Sequence, residues 1–253
     1  MDRGDRGGRG GGLGALLLPE TSEQAVFDAH SLTATRVCCH RCRAALVNLL
    51  CVLPVMRGYA AAMAPGDHYT WSGWRAWLHA LFQRRSASNQ AVTDWAGLQP
   101  NMDVLDVGCG AGSAVIIAAT MLPNGTAVGV DPSADFIKIA KRRSRHAGNV
   151  DFVQSTAEDL PFGAETFDVV WSVHSAHHWR DVATGVRETL RVLRPGGRLL
   201  IVERLDPKRP WGIGPDQARN LAEVLSAAGF VDVSNDQRRV AKGEEFLITG
   251  THS

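Results

Sequence analysis

From residue 69 onward the apolar positions follow two alternating spacings. Residues 104–107, 127–130, 150–153, 167–172 and 198–202 are short runs rich in Val, Ile, Leu and Phe and bounded by Gly, Pro, Asn or Asp. Runs of this kind predict strands buried on both faces. Between them, residues 113–121, 133–145 and 182–192 bring an apolar side chain back every three or four positions, as a helix with one inward face does. Strand and helix in strict alternation predict an α/β domain with a parallel sheet between two helical layers. The tail adds a helix over 216–228, stopped at Gly229, and two strands over 231–235 and 245–249. No internal repeat is visible.

Upstream, "TWSGWRAWLHALFQRRS" places Trp71, Trp74, Trp77, Leu78 and Phe82 at helical spacing, with Arg84 and Arg85 in the last turn. A second short helix is predicted to end near Gly97, with Ser88 or Asn89 as its cap. Residues 1–62 have a different character. "MDRGDRGGRGGGLG" is Gly/Arg-rich and too poor in apolar side chains to fold alone. "CCHRC" at 38–42 crowds its ligands too closely to converge on one zinc ion, and no second pair stands at finger-like spacing. Arg36, Arg41 and Arg43, the apolar run 45–56 and "YAAAMA" together outline a signal peptide, but one set deep in the chain. The expectation is an arm over 1–62 that is disordered or lies outside the natural protein, whose start would then be Met56 or Met63.

Formal charges nearly cancel at +1, so no global field gathers nucleic acid or an anionic membrane surface, and the expected partner is a small molecule. The run 45–56 is too short to span a bilayer, so no membrane span is expected. Of five cysteines only Cys109 falls within the regular part, which gives no disulfide framework and suits a reducing cytoplasm.

The chemistry begins at "VLDVGCGAG", a strand running into a glycine turn and then a helix. Gly108, Gly110 and Gly112 allow a sharp bend and close approach to a ligand, beside the free N–H groups of a helix start. Their spacing is G-x-G-x-G, unlike the G-x-G-x-x-G of dinucleotide sites, and Asp106 is an acid that a pyrophosphate would avoid but an amino group would meet. Asp131 closes the next strand. There an acid accepts ribose hydroxyls, or caps the helix beginning at Pro132, or does both.

These motifs, with "AEDLPF", "FDVV" and "RVLRPGG" following in order, resemble the class I S-adenosylmethionine-dependent methyltransferases, and within them the broad small-domain group. The resemblance spans residues 102–229. It implies a Rossmann-like doubly wound sheet of seven strands, mostly parallel with the last strand antiparallel, preceded by an N-terminal helical extension. Residues 101–253 would form the cofactor-binding domain and residues 63–100 a helical lid. The cofactor would be S-adenosyl-L-methionine. The glycine loop and Asp106 would hold its methionine part and Asp131 its ribose. Pro132 and Ser133 would lie near the adenine, with Thr156, Ala157 and Glu158 along the adenine edge. Many relatives carry Asp where this chain has Thr156, so an anionic acceptor for the adenine amino group is missing there.

"SVHSAHHW" follows the fourth strand, where the family's methyl-transfer pocket begins. Ser172 ends the strand and lines the cofactor side in this resemblance. Three histidines in five residues invite a metal reading, but no carboxylate or cysteine neighbour completes a ligand set, and transfer from a sulfonium needs no metal. An imidazole that takes a proton from a hydroxyl or amine acceptor is the stronger reading, with His174 first and His177 next as catalytic candidates. A carboxylate acceptor would need no base, and the histidines could also simply close the loop through hydrogen bonds. The link 204–215 is too short to build a cap. Cover over the substrate is therefore expected from Tyr69, Trp71 and Trp74, with Trp77 beside them, although the same stripe could pack against the sheet's own helices. The aromatic-ended Asn/Asp-Pro-Pro motif of base methylation is absent after the fourth strand, which disfavours nucleic acid as substrate. The resulting expectation is methyl transfer to O or N of a small, apolar or aromatic molecule. The alternatives are a non-catalytic cofactor-binding module and an NAD-dependent oxidoreductase.

Overall fold

The computed structural model describes residues 86–253 apart from residues 210 and 242. The arm over 1–62, the tryptophan helix and the candidate lid residues Tyr69, Trp71 and Trp74 lie outside the described residues.

The elements are α1 (Ala87–Ala96), β1 (Asp103–Val107), α2 (Ser113–Ala119), β2 (Thr126–Asp131), α3 (Ala134–Arg143), β3 (Val150–Gln154), β4 (Phe167–Val173), α4 (Val182–Val192), β5 (Leu193–Arg204), α5 (Pro215–Ala228), β6 (Val231–Val240) and β7 (Gly243–Thr251). The strands form one seven-stranded sheet in the order β3-β2-β1-β4-β5-β7-β6. The pairs from β3 through β5 are parallel, whereas β7 runs antiparallel to both β5 and β6. The last strand is thus the antiparallel one, as the resemblance implies.

Alternating side chains sort the core into two layers. On one face Val104, Val169, Trp171, Leu200 and Val202 meet α1 (Val92, Ala96), α2 and α3. On the other, Leu105, Val107, Val170, Leu199 and Ile201 meet α4 and α5 through Val186, Val192, Leu221 and Leu225. Burial on both faces explains why these strands read as unbroken apolar runs. Each such side chain contributes about 1.5–3 kcal/mol when fully buried.

Helix α4 occupies the predicted span, because Asp181 caps it by accepting the Thr184 N–H at 3.1 Å. Ser133 caps α3 by accepting from Phe136 N–H, and Gly229 ends α5 at a φ of 110°. Three predictions need correction. Neither Ser88 nor Asn89 caps α1: the N-cap is Ser86, and both residues are buried inside the helix. Strand β5 begins at Leu193 and not at the expected residue 198, with the turn Pro195-Gly196-Gly197 inside it. Leu193 pairs with Phe167, and the ladder resumes at Arg198 opposite Val169. The excursion is closed by Gly196 N–H donating to His252 and by His252 N–H donating to Gly197, both at 2.8 Å. Finally, β6 continues to Val240 and β7 starts at Gly243, as a two-stranded extension with β6 mostly exposed.

The strand order reverses at β1, which lies between β2 and β4. Crevices at the carboxyl ends of strands open at such a point. The glycine turn, Asp131 and the histidine loop all lie at that edge.

Candidate active site

The glycine turn is held by its own backbone. Gly108 and Cys109 N–H both donate to Val130 C=O (2.8 and 2.9 Å), and Gly112 N–H donates to Cys109 C=O (2.9 Å). Gly110 N–H donates to Asp131 Oδ2 at 2.9 Å. Gly108, Gly110 and Gly112 have φ of 80°, 52° and 74°, in the left-handed region. Their surroundings differ. A Cβ on Gly108 would fall 1.8 Å from Ser175 Oγ, and one on Gly112 would strike the Phe152 ring, but one on Gly110 would meet nothing within 4 Å. The turn is therefore packed on two sides and open at Gly110. Arg143 braces it from α3, donating to Ala111 C=O at 2.7 Å and to Ser113 Oγ at 3.1 Å.

Two acids flank this turn. Asp131 accepts from Gly110 N–H through Oδ2 and from Ser133 N–H through Oδ1 (2.8 Å), so it fixes the turn and starts α3 together. Burial nevertheless pushes its pKa up to about 6, against the pull of those two N–H groups. Asp106 is fully enclosed and its Oδ1 has no hydrogen bond among the described residues. Burial pushes its pKa up to about 7, and the Asp131 charge adds to the rise. The Trp171 indole, its register neighbour on β4, lowers it without reaching hydrogen-bond geometry. Burial and the same two carboxylates push the enclosed Cys109 thiol well above its ordinary value. Two carboxylates short of positive charge beside a glycine turn suit a cationic ligand. They oppose a pyrophosphate, and the turn's Gly108, Cys109, Gly110 and Gly112 N–H groups are already taken. S-adenosyl-L-methionine, with its sulfonium and ammonium, fits this site.

Gly108, Pro132, Thr156, Ala157 and Glu158 come together in one cleft with Ser175, His178 and Trp179. Its free volume is about 70 Å³, so its walls have to draw apart for a nucleoside, which needs a site of roughly 300 Å³. Ser133 and Asp131 support the cleft from beneath through the bonds just given. Glu158 Oε1 accepts from Arg180 N–H (2.7 Å) and Asp181 N–H (3.2 Å), tying the third-strand loop to the start of α4. Burial raises the Glu158 pKa, but its own N–H, Asp181 N–H, the Thr156 hydroxyl and Arg180 N–H outweigh this and hold it low. Ser172 is fully buried on β4 and its Oγ lacks a partner among the described residues; it is not part of the cleft wall.

The three histidines have three different environments. His174 takes a left-handed φ of 53°, donates its N–H to Val202 C=O (2.8 Å) and sets Nε2 3.0 Å from Glu245 Oε1 on β7. His177 sets Nδ1 2.7 Å from Oε2 of the fully buried Glu203, and its backbone N–H donates to Glu203 Oε1 at 3.3 Å. Its Nε2 is buried with no partner among the described residues. His178 lies tilted against His177, 3.9 Å between ring centroids, and forms part of the cleft wall. Burial and the His177 charge lower its pKa to about 4 against the pull of Glu203, so it is neutral at pH 7. Trp179 packs its ring on Gly185, where a Cβ would lie 2.5 Å away. Sequence reasoning missed Glu203 and Glu245 as partners. Glu203 had a signal, an acid closing the apolar run "LLIV"; Glu245 had none. Among the described residues no group of three or more His, Cys, Asp or Glu gathers at metal-binding spacing. No helix there is long and apolar enough to cross a membrane.

A doubly wound sheet with one antiparallel strand beside β5, a glycine turn after β1 and an acid at the tip of β2 is the arrangement of class I S-adenosylmethionine-dependent methyltransferase domains. The comparisons point the same way for this stretch of the chain: residues 105–201 match the family described as Methyltransferase domain. An uncharacterized methyltransferase of Bacillus subtilis, YcgJ, is 38% identical over 109 residues, covering 42% of this chain and 42% of the relative. The erythromycin 3''-O-methyltransferase of Saccharopolyspora erythraea is 29% identical over 197 residues, covering 68% of this chain and 64% of the relative. The match thus spans less than two thirds of either relative. The crystal structure of a SAM-dependent methyltransferase from Aquifex aeolicus shares the fold with a TM-score of 0.58 and 22% identity, over 68% of this chain and 92% of that one.

Proposed function

We propose that this protein transfers the methyl group of S-adenosyl-L-methionine to the oxygen or nitrogen of a small, apolar or aromatic acceptor, with His177 as the base and Glu203 as the residue that orients it. The observation that carries the reading is the His177–Glu203 pair: Nδ1 is held at 2.7 Å by a fully buried carboxylate while Nε2 has no partner among the described residues. A carboxylate on Nδ1 fixes the proton there, leaves the Nε2 lone pair free and stabilises the imidazolium once it forms. The cofactor, when bound, supplies an electrophilic methyl carbon and a neutral thioether leaving group. The acceptor's hydroxyl or amine proton then passes to Nε2 as its lone pair forms the new bond to carbon. His178, held neutral, adds no competing charge beside His177. Tyr69, Trp71 and Trp74 are the proposed cover, and a reducing cytoplasm suits the enclosed Cys109 thiol. The name of the erythromycin 3''-O-methyltransferase supports an oxygen acceptor.

The test is release of S-adenosylhomocysteine from S-adenosyl-L-methionine over a panel of phenols, alcohols and amines, with His177→Asn and Asp131→Ala beside the parent chain. Turnover with a hydroxyl or amine acceptor that drops about 100-fold or more in His177→Asn, with cofactor affinity unchanged, is expected. Equal turnover in that variant refutes the base assignment, and no turnover over a broad panel favours a non-catalytic binding module.

A further inference from the structure

The described residues line a second, more open pocket of about 410 Å³, next to the cleft across the loop after β4. His174 belongs to the cavity and the adjacent Ser175 to the cleft. Among the other residues of its wall are Ser88 at the start of α1, Arg204 at the end of β5, and Glu244 and Glu245 at the start of β7. Its most enclosed charged group is Glu245, 4% exposed. One oxygen, Oε1, accepts from the Ser88 hydroxyl at 2.5 Å and meets His174 Nε2 at 3.0 Å. The other, Oε2, is equally buried and has no hydrogen bond among the described residues.

A buried carboxylate oxygen without a donor is rare enough to need a reason. The carboxylate is also charged. Burial pushes the Glu245 pKa up, but His174, the Ser88 hydroxyl and Arg204 outweigh this and hold it below its ordinary value. Glu244 adds a second acid to the wall against the single guanidinium of Arg204. A donor that is itself positive both satisfies Oε2 and offsets the excess negative charge, whereas a neutral hydroxyl does only the first and an anion does neither. His174 keeps a left-handed backbone, pinned by Val202 C=O, in order to reach Glu245; strain of this kind collects where a site over-determines a residue.

We propose that this cavity anchors the methyl acceptor through a protonated amine held on Glu245 Oε2, distinct from the group that receives the methyl. The proposal rests on the reading of the neighbouring cleft as the methyl-donor site. The acceptor then bridges the two along the Ser175–His178 loop, its charged end in the cavity and its reacting end beside His177.

The test uses the full chain and three probes with one apolar body: benzylamine, benzyl alcohol and benzoate, each titrated by calorimetry and ligand-observed NMR with and without S-adenosylhomocysteine. Benzylamine is expected to bind at least about tenfold more tightly than the other two, and Glu245→Gln to remove that preference while leaving S-adenosylhomocysteine affinity unchanged. Arg204→Gln, which removes the cation from the wall, is expected to tighten benzylamine by about two- to fivefold. Because Arg204→Gln leaves Glu245 in place, it decides the matter even if Glu245→Gln does not fold. Equal binding of benzyl alcohol, no binding of benzylamine, benzylamine binding indifferent to Glu245→Gln, or weakening by Arg204→Gln each overturns the proposal. Loss of S-adenosylhomocysteine binding with the benzylamine preference intact would instead overturn the reading of the cleft and leave the cavity as an amine site.

Discussion

Replacing Asp106 with Asn tests whether the acids beside the glycine turn are strained by lack of a cation. Asp106 ionises at about 7 in the folded chain against 3.8 for an unperturbed side chain, so between those values the folded state holds a proton that the unfolded state has lost. Stability therefore falls as pH rises through that window, in contrast to an acid stabilised by a partner, whose contribution is lost as pH falls. At about 1.4 kcal/mol per unit, the loss across the window amounts to about 4 kcal/mol. Asn does not titrate, so Asp106→Asn escapes it. Any packing penalty of the amide is the same at every pH and cancels when the variant's offset from the parent is compared at pH 4 and pH 8. For a domain of this size the offset in Tm should become more favourable to the variant by on the order of 10 °C between the two. The assay is thermal unfolding of both chains, without ligand, followed by circular dichroism. The same variant should bind S-adenosyl-L-methionine more weakly, having lost the acid that suits its positive charge. An offset equal at pH 4 and pH 8 would refute the burial argument for Asp106.

Gly108 and Gly110, both left-handed but in different surroundings, give contrasting expectations. Gly108→Ala drives a methyl into Ser175 Oγ and should lower stability by several kcal/mol, whereas the double variant with Ser175→Gly should recover all but about 1–2 kcal/mol of backbone strain in a urea titration. Gly110→Ala meets nothing in the folded chain and should cost only about 1 kcal/mol, yet it should weaken S-adenosylhomocysteine binding by about tenfold or more, because the new methyl stands in the open space above the turn. Glu203→Gln keeps shape but removes the charge that stabilises the His177 imidazolium. Once an acceptor is in hand, its kcat should fall by about 100-fold or more with cofactor affinity unchanged, and a loss of affinity instead would make Glu203 merely structural.

What was legible in the sequence is what depends on near neighbours along the chain. Helix α4 was read to the residue because its cap, Asp181, and its apolar repeat are both local. The glycine turn was legible because strand, turn and helix follow one another directly, and Asp131 because it closes the next apolar run. Strand β6 was read only to residue 235, since "DQRRV" carries no alternation: its side chains are mostly exposed and its place comes from the ladder with β7. Ser88 was read as a cap because small polar residues cap helices. Its partner is Glu245, 157 positions away, and no local pattern announces that pairing. The histidine loop was located correctly, but the division of labour within it was hidden. His174 and His177 differ by which distant carboxylate each meets, Glu245 on β7 or Glu203 on β5, and sheet order decides that.

The central claim is that the cleft beside the glycine turn takes a cationic sulfonium nucleoside and not a dinucleotide. The most direct measurement is calorimetric titration of the full chain with S-adenosyl-L-methionine, with S-adenosylhomocysteine and, separately, with NAD, using Asp131→Ala as control. Both adenosyl ligands should bind, the sulfonium form taking up its heat with proton release near pH 6–7 as Asp131 and Asp106 ionise, and the variant should bind both more weakly. NAD binding in preference to either, or adenosyl binding unchanged by Asp131→Ala, would contradict the account.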